Sequence, residues 1–189
     1  SSTLLLTGMA VSGLCGAVTT FLLLKAPNME FRTVLGWLMG SLTYRGWTYP
    51  AMLAPYVAVG LAATWSLHRR LDLLSVGDDI AHHLGVNVPA LRAGLLALAS
   101  LLAAATVSAC GVIGFIGLLV PHAARFIAGP MHRKLLPACA LGGAALLLAA
   151  DLGARSLSVA EEVPVGVITA VIGSAFFLWL LRGQKLRGL

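Results

Sequence analysis

Two carboxylates and two imidazoles stand close together in one polar stretch of the chain, residues 73–89 (LLSVGDDIAHHLGVNVP). Asp78 precedes His82 by four residues, and Asp79 precedes His83 by four. Residues four apart share one face of a helix, so each pair could present two donors to a metal ion. The two pairs lie on different faces, and no third or fourth ligand is evident in the sequence. We therefore predict no metal site here.

The same stretch carries the signals of a short helix outside the membrane. Ser75 or Gly77 can cap its beginning, and Gly85 suits its end, where a left-handed residue is common. Asn87 and Pro89 then suit the first positions of a following helix. A short helix that projects from a membrane domain is typical of a binding site for another protein.

A second motif, GVIGFIGLLVPHAARF at residues 111–126, combines an apolar run with groups that a simple membrane span does not need. Its glycines recur every third residue and keep one side of the predicted helix slim, which allows close helix packing. Pro121 removes a backbone donor and predicts a kink or an end of the regular helix. A structural hinge and a contact with a ligand are both open interpretations of this motif.

The end of the second motif is polar. Arg125 lies about 20 Å along the helix from Val112, so its charge can reach the headgroup region, where it costs little. His122 lies one turn from Arg125. It either packs as a polar side chain or belongs to a seam that moves.

A third polar stretch, residues 150–166 (ADLGARSLSVAEEVPVG), contains Asp151, Arg155, Glu161 and Glu162. The two adjacent carboxylates point in different directions and do not form an acid–base pair by themselves. If Asp151 and Arg155 share a helix face, they can simply form an ion pair. The stretch is either a solvated loop or a docking surface.

None of these groups forms an enzyme site. The sequence contains no nucleophile elbow, no HExxH pair and no GxxxxGK[ST] phosphate-binding loop. We therefore predict that the chain is not an enzyme and binds no cofactor directly. If it moves a solute with ATP, the ATPase is a separate chain.

Composition places these motifs in a membrane. Hydrophobic residues make up 59% of the 189 residues and charged residues only 11%, and the mean hydropathy is +0.92. A soluble domain has about a quarter charged residues. The net charge of +6 then indicates orientation and contact with anionic membrane lipid, so no nucleic-acid partner is expected.

Six apolar runs approach the length of about 20 residues that a helix needs to cross a bilayer. We therefore predict an all-α fold, a polytopic transmembrane helix bundle with about six spans. These spans are Ser2–Leu24, Ala51–Leu67, Ala90–Ser108, Val112–Ile127, Leu135–Ala150 and Val165–Leu181. The fifth is short for a bilayer span.

If the six runs alternate, the basic residues divide unequally between the two sides. Nine fall on one side: Arg69, Arg70, Arg92, Arg125, Arg133, Lys134, Arg182, Lys185 and Arg187. Four fall on the other: Lys25, Arg32, Arg45 and Arg155. Lys and Arg concentrate in cytoplasmic loops. We therefore predict that residues 69–89 and the C-terminus are cytoplasmic and that Arg155 is external.

Four stretches of the chain closely resemble the C-terminal half of FecCD-type permeases. They are the second motif, HRKLLPACALGGAALLLAADLGAR, EEVPVGVITAVIGSAFFLWLL and WLMGSL. These are the membrane subunits of binding-protein-dependent ABC importers for iron-siderophores, haem and cobalamin. The stretch at residues 73–89 also matches the family pattern. The resemblance implies a permease of about ten helices, of which the six spans are the last six. Residues 1–189 would then be a single permease domain, truncated at its N-terminal side.

The resemblance also implies partners and a location. The permease would lie in the bacterial cytoplasmic (inner) membrane and pair with a second permease subunit, either a copy or a paralogue. Two ATP-binding cassette subunits would bind and hydrolyse ATP below it. A periplasmic or lipid-anchored substrate-binding protein would dock outside. An iron-siderophore, or haem or cobalamin, would then be imported by alternating access between two helix packings.

Site residues follow from the resemblance as expectations. Residues 73–89 become a coupling segment that contacts the ATPase through Gly77, Asp78, Asp79, Ala81, His82, Leu84 and Gly85. The second motif becomes a helix hinge formed by Gly114, Phe115, Gly117, Pro121, His122 and Arg125. Arg155 becomes a contact for the binding protein.

Two other classes of membrane protein are alternatives, an ion-coupled secondary transporter and a membrane scaffold that transports nothing. An ion-coupled carrier usually has ionisable groups inside its spans. The predicted spans are nearly free of such groups, which favours the importer.

Overall fold

The computed structural model describes residues 2–25, 34–42, 46–157 and 163–185 of the chain. Five residues that carry predictions lie outside these ranges: Arg32, Arg45, Glu161, Glu162 and Arg187. The membrane sides predicted for the three arginines and the docking stretch around the two glutamates therefore fall outside the described residues.

Every regular element in the described residues is a helix, which confirms the predicted all-α fold. The helices are α1 (Ser2–Leu23), α2 (residues 34–38), α3 (Thr48–Ser66), α4 (His68–Val76), α5 (Asp78–His83), α6 (Val88–Cys110), α7 (Ile116–Ala128), α8 (His132–Leu157) and α9 (Val165–Lys185). All six predicted spans correspond to helices, and α4 and α5 lie in the predicted polar connection.

Fewer helices than the six predicted spans reach full length. Within the described residues, α1, α6 and α8 are long and apolar enough to cross a membrane by length and composition. α3 and α4 together would make a fourth span, but the chain bends by 52° between them. α7 and the apolar part of α9, Val165–Leu180, are shorter.

The fourth predicted span is wrong at its beginning. The sequence predicts one helix over Val112–Ile127, whereas α7 starts only at Ile116. Gly111 has φ 75° and Phe115 has φ 67°, so the backbone turns twice into the left-handed region between α6 and α7. A right-handed helix cannot continue through such residues.

The fifth predicted span has the opposite error. The sequence predicts Leu135–Ala150, and α8 is instead the longest helix, with 26 residues. Charged side chains mark its two ends in the sequence, but they lie inside the helix. Long polar side chains at helix ends reach the headgroup region and water, so they need not end a membrane helix.

The chain divides into two compact units, Ser1–Leu38 and Met39–Leu189. In the first unit, the hydroxyls of Thr19 and Thr20 donate to the carbonyls of Cys15 and Gly16 within α1. Bonds of this kind satisfy a hydroxyl inside an apolar helix. In the second unit, α3 packs against α6, α7 against α8, α8 against α9, and α4 against the beginning of α8.

Three backbone segments of the second unit meet where α6 ends: residues 39–42, residues 111–115 and the first turn of α9. We call this place the glycine junction. The backbone N–H of Ser41 donates to the carbonyl of Cys110 at 2.9 Å. The N–H of Ser41 thus finds a hydrogen-bond partner at the end of α6, as irregular backbone inside a membrane protein needs.

The backbones at the glycine junction approach too closely for side chains. The N–H of Gly166 points at the carbonyl of Gly40 at 3.5 Å. A Cβ atom built on Gly166 would collide with the backbone of Met39 and crowd that of Val112, and a Cβ on Gly40 would collide with Val112. Only glycine fits where backbones come this close.

Candidate functional site

The coupling segment, residues 73–89, contains the short helix that the sequence predicts. α4 ends at Val76 and α5 begins at Asp78, so Gly77 alone connects them, with φ 151° and ψ 151°. Gly77 is thus the N-cap residue, and Ser75 is not, because its hydroxyl donates to the carbonyl of Asp72 within α4. Glycine adopts this φ readily because it has no Cβ, so one residue suffices to turn the chain from α4 into α5.

The end of α5 is fixed by backbone hydrogen bonds around Gly85. Gly85, with φ 81°, donates its N–H to the carbonyl of His82 at 3.0 Å. Val86 donates to the carbonyl of Ala81 at 3.0 Å. These two bonds form a Schellman motif, in which the left-handed residue satisfies the last helical carbonyls. Ala81 and Val86 both lie in the same buried apolar cluster, which completes the motif.

Ala81 anchors α5, and the rest of the helix faces outward. Ala81 is fully buried against Val88 and Leu91 at the beginning of α6. Six of the surrounding side chains are exposed: Asp78, Asp79, Ile80, His82, His83 and Leu84. α5 therefore presents a surface in which two large apolar side chains stand among carboxylates and imidazoles.

α6 begins as the sequence predicts. The side-chain Oδ1 of Asn87 accepts a hydrogen bond from the backbone N–H of Ala90 at 3.1 Å, and Pro89 lies in the first turn. An asparagine cap of this kind satisfies one of the free N–H groups of the helix. Beside it, a cleft of about 400 Å³ opens between Leu67, Arg70, Gly85 and Leu91.

Two contacts between side chains connect the coupling region to the long helices. Arg92 of α6 pairs with Asp78 of α5, with Nη2 and Oδ1 2.8 Å apart and about half of each side chain exposed. His132, the first residue of α8, contacts Asp72 of α4. The Oδ1 atom of Asp72 accepts from the backbone N–H of His132 at 2.8 Å and lies 2.7 Å from its Nδ1.

The second contact favours an ionised carboxylate. The backbone hydrogen bond from His132 lowers the pKa of Asp72 below its ordinary value. Partial burial acts in the opposite direction, and the side-chain hydrogen bond and charge of His132 lower the pKa further. Because an ionised carboxylate only accepts hydrogen bonds, Nδ1 of His132 donates in this contact in the tautomer that carries its proton there.

Phe115 of the second motif is held in an unusual conformation. It is the N-cap of α7 and has φ 67° and ψ −28°, and within the described residues no other non-glycine residue has positive φ. Its ring contacts that of Phe177, and its Cβ approaches Gly173 so closely that a Cβ there would collide with it. A left-handed bulky residue costs of order 1–3 kcal/mol and persists only where packing enforces it. α9 supplies that packing.

Gly114 and Gly117 do not make the close helix contacts that their spacing predicts. A Cβ atom at either position would meet nothing within 4 Å among the described residues. Gly114 is not helical at all, since α7 begins at Ile116. The close contacts lie instead at Gly166 and Gly173, on the opposing helix.

The polar end of the second motif lies in α7. Pro121 is inside the helix, which continues to Ala128, so of the two predicted outcomes, a kink or an end, the helix does not end at this proline. The His122 ring contacts Phe176 of α9 at 5.8 Å and Phe126 at 5.4 Å between centroids. His122 thus packs between α7 and α9, and Arg125 is exposed in the last turn of α7, where a positive charge suits the helix dipole.

Arg155 lies in the last turn of α8 and not in a loop, which corrects the predicted position. Its Nε donates to Oδ2 of Asp151 at 2.8 Å, which confirms the pair allowed by their spacing. Asp151 is 14% exposed and Arg155 is 58% exposed. The other carboxylate oxygen, Oδ1, is buried and has no hydrogen-bond partner among the described residues.

The histidines and carboxylates of α5 do not gather into a metal-binding group. Among residues 2–25, 34–42, 46–157 and 163–185, no cluster of three or more His, Cys, Asp or Glu could hold an ion. Asp78 is engaged with Arg92. The rings of His82 and His83 are 6.3 Å apart and edge to face.

Sequence reasoning missed four residues that organise the structure. Gly173 stands seven residues after Gly166, a spacing that places both on one helix face, and this signal was available. Gly40 lies in WLMGSL, which carries part of the family resemblance, but nothing in that stretch indicates its close backbone contact. Asp72 and His132 are 60 positions apart, and neither belongs to a pattern that would link them.

These features define a class of protein. Apolar helices form a membrane bundle, a capped helix with an exposed surface interrupts them, and glycines allow close backbone contact at the other end of α6. The chain belongs to the FecCD transport family, which it matches over residues 1–183. The resemblance seen in its motifs is thereby confirmed.

Individual relatives agree with the family. The chain is 48% identical over its whole length to the cobalamin import system permease protein of Halobacterium salinarum, of which it covers 50%. It is 44% identical, over 96% of its length, to the hemin transport system permease protein of Yersinia pestis, of which it covers 54%. The chain thus spans about half the length of these relatives.

A solved structure has the same fold. It shows an ABC transporter assigned to the metal-chelate type in an inward-facing conformation. The TM-score is 0.87 at 35% identity, and the match covers 93% of this chain and 57% of the other.

Proposed function

We propose that the chain is part of the permease subunit of an ATP-driven importer that carries a bulky metal chelate or cofactor into the cytoplasm. Iron-siderophores, haem and cobalamin are the candidate substrates, and iron-siderophore is the first choice. ATP hydrolysis takes place on a separate subunit, of which two copies bind the permease dimer. The permease lies in the bacterial inner membrane, with the C-terminus of this chain in the cytoplasm.

The observation that carries the proposal is the exposed surface of α5. Ile80 and Leu84 stand one turn apart and are 48% and 61% exposed, and an apolar patch rimmed by polar residues is typical of a protein interaction site. Asp78, Asp79 and His82 surround them. A short helix with apolar anchors and a charged rim fits a groove on another protein. The Schellman motif at Gly85 and the anchor at Ala81 hold this surface in a fixed orientation.

The ATPase is the partner that this surface fits best. The coupling segment lies on the predicted cytoplasmic side, where the ATP-binding subunits of an importer must be. The cleft beside Arg70 and Gly85 adjoins the same surface and offers room for a protruding side chain of the partner. Gly77 is the single residue between α4 and α5, so the two helices stay directly connected when the partner moves α5.

The proposal is tested with the permease that includes this chain, reconstituted with its ATPase and binding protein in proteoliposomes. We expect ATP-dependent uptake of a ferric siderophore, haem or cobalamin. Gly85→Val should lose uptake, because valine is strongly disfavoured at φ 81° and would misplace α5. Gly13→Ala is the control, since Gly13 lies in α1, outside the cleft, and a Cβ there meets nothing within 4 Å. Uptake that continues without ATP would instead identify an ion-coupled carrier.

Orientation is tested separately by cysteine labelling. The native Cys15, Cys110 and Cys139 are free thiols and are first replaced. Asp79→Cys should then react with a membrane-impermeant reagent only after the cells are opened. Strong labelling in intact cells would place α5 outside and exclude the ATPase as its partner.

We further propose that Arg155 contacts the substrate-binding protein. Its guanidinium is more than half exposed and is fixed by Asp151 at the predicted external end of α8. Arg155→Gln should lower the affinity of the binding protein, with a loss that shrinks as salt rises. Glutamine is preferable to glutamate, which would add repulsion against Asp151. Ser156→Ala, at the next exposed position of α8, is the control, and equal affinity of the wild type, Arg155→Gln and Ser156→Ala would make Arg155 a plain surface charge.

A further inference from the structure

The contact between Asp72 and His132 has the properties of a mechanical attachment. One carboxylate oxygen of α4 receives the first backbone N–H of α8 and lies within hydrogen-bond distance of the imidazole of the same residue. The first N–H groups of a helix have no partner within the helix. Asp72 therefore binds the backbone of α8 itself, and a movement of α4 cannot be absorbed by a flexible side chain on α8.

α4 belongs mechanically to the coupling segment. Leu73 and Leu74 pack against the buried cluster of Ala81, Val86 and the beginning of α6. Gly77 is the single residue between α4 and α5. A displacement of α5 by a partner is therefore transmitted to α4 through packed apolar side chains.

α8 reaches from the coupling segment to the glycine junction. Its 26 residues extend over about 39 Å at the rise of an α-helix. His132 begins it beside α4, and near its other end Ala150 and Ala154 pack against Val165 of α9 and Leu42. Among the described residues, the Asp72–His132 contact is the one ion pair that links the first turn of α8 to α4.

The ion pair of Arg92 and Asp78 is a second contact through which movement of α5 could reach a long helix. The two contacts differ in how far their side chains are exposed to water. The side chains of that pair are 54% and 50% exposed, so water and salt weaken their attraction. His132 and Asp72 are 18% and 37% exposed, and their contact includes a backbone donor. The less exposed contact is the stiffer one.

We propose that Asp72 is a positioning residue that attaches the coupling segment to the first turn of α8, so that movement of α5 reaches the glycine junction through α8. This inference rests on the proposed function, since it needs an ATPase that moves α5. It assigns to Asp72 and His132 the transmission of the movement and no contact with ATP or substrate.

The test measures the substrate carried per ATP hydrolysed by the reconstituted complex. Asp72→Ala should lower this ratio by about fivefold or more, because a charge-assisted hydrogen bond is strong enough to shift a two-state equilibrium by that factor. Asp72→Asn should lose less, since its Oδ1 can still accept from the backbone. Arg133→Gln, which removes a charge from the neighbouring exposed position of α8, should keep the ratio.

A merely structural role is distinguished by two further measurements. The amount of assembled complex is determined for each variant, and a ratio that stays at the wild-type value in the Asp72→Ala complexes that do assemble would overturn the inference. In a background without native cysteines, Asp72→Cys and His132→Cys are combined and joined by a short bifunctional thiol reagent. The cross-link should restore the ratio that the two substitutions lower. A linked permease that stays uncoupled would also overturn the inference.

The outcomes separate this inference from the proposed function. A wild-type permease that does not bind an ATPase, or transports without ATP, removes both. If the wild type is coupled and Gly85→Val uncouples it, but Asp72→Ala keeps the wild-type ratio, only the role of Asp72 is wrong.

Discussion

At one end of α6 the coupling segment is held by side chains, and at the other end the glycine junction is held by backbone. Around the coupling segment, Asp72, Asp78 and Asn87 each accept a hydrogen bond from a residue of α8 or α6. At the glycine junction, Gly40 and Gly166 bring backbone atoms into direct contact. The same helix thus ends in two regions with different mechanical properties.

The difference indicates which region can move. A hydrogen bond between partly exposed side chains can be exchanged for one with water at a net cost of about 0.5–1.5 kcal/mol. Backbones in contact across glycines have no room to shift toward each other, because interiors are close-packed and resist compression. We therefore expect α5 to exchange its exposed contact with Arg92 and to move α8 through Asp72, while the glycine junction keeps its backbone contacts and the helices that meet there tilt about it.

The largest expected effect is at the glycine junction. Gly166→Ala places a Cβ against the backbone of Met39, which cannot rotate away. We expect a loss of about 3 kcal/mol or more in the free energy of unfolding, at the upper end of overpacking costs. Thermal unfolding of the detergent-solubilised protein measures it. Gly117→Ala, where a Cβ meets nothing, should leave stability unchanged or raise it slightly. If both variants melt alike, the junction is loose.

Gly85→Ala tests the backbone geometry of the coupling segment itself. Alanine at φ 81° costs about 1–2 kcal/mol, because its Cβ clashes with the following carbonyl oxygen in the left-handed region. The loss should appear as faster hydrogen exchange at the N–H groups of Gly85 and Val86, which close the Schellman motif. Unchanged exchange would show that α5 does not depend on this cap.

Asn87→Ala removes the cap of α6 and should cost about 1 kcal/mol. The Oδ1 atom of Asn87 satisfies the N–H of Ala90, which alanine cannot do. Asn87→Asp is the matched variant, since aspartate caps as well and suits the positive end of the helix. A thermal shift from alanine but not from aspartate would confirm the cap, and equal shifts would contradict it.

The smallest effect is expected at the exposed pair between Arg92 and Asp78. Arg92→Gln should change stability by about 0–1 kcal/mol, and the difference should vanish at high salt. Melting curves at low and high salt measure it. A loss of stability that persists in high salt would show that this pair is as strong as the contact between Asp72 and His132. The two contacts could then transmit movement equally well.

The sequence was most informative where structure depends on neighbours in the chain. It predicted the short helix of the coupling segment with Gly77 as one of two candidate caps, its end at Gly85 and the cap of the next helix at Asn87. Caps and turns involve residues no more than about four or five positions apart, so their signals are legible in one short stretch. The pair of Asp151 and Arg155 was legible for the same reason.

Prediction failed where the conformation or packing of a residue depends on a helix that is distant in the sequence. The spacing of Gly114 and Gly117 suggested close packing, but a Cβ atom at either position would meet nothing within 4 Å among the described residues. The helix expected over residues 112–127 begins late because Phe115 is forced into a left-handed conformation beside Gly173 on α9. Neither stretch contains a sequence signal that identifies the residues that pack against it or leave it uncovered.

The sequence by itself determined the class of this protein: an all-α membrane bundle of the FecCD family, with a capped polar helix between its apolar ones. Apolar length, caps and charge decide those features locally, through the cost of placing backbone and charge in lipid. Only the tertiary structure decided which glycines lie in contact and which carboxylate attaches α4 to α8. Those choices join residues far apart in the chain, as Asp72 and His132 are, and depend on the shape of the space between the helices.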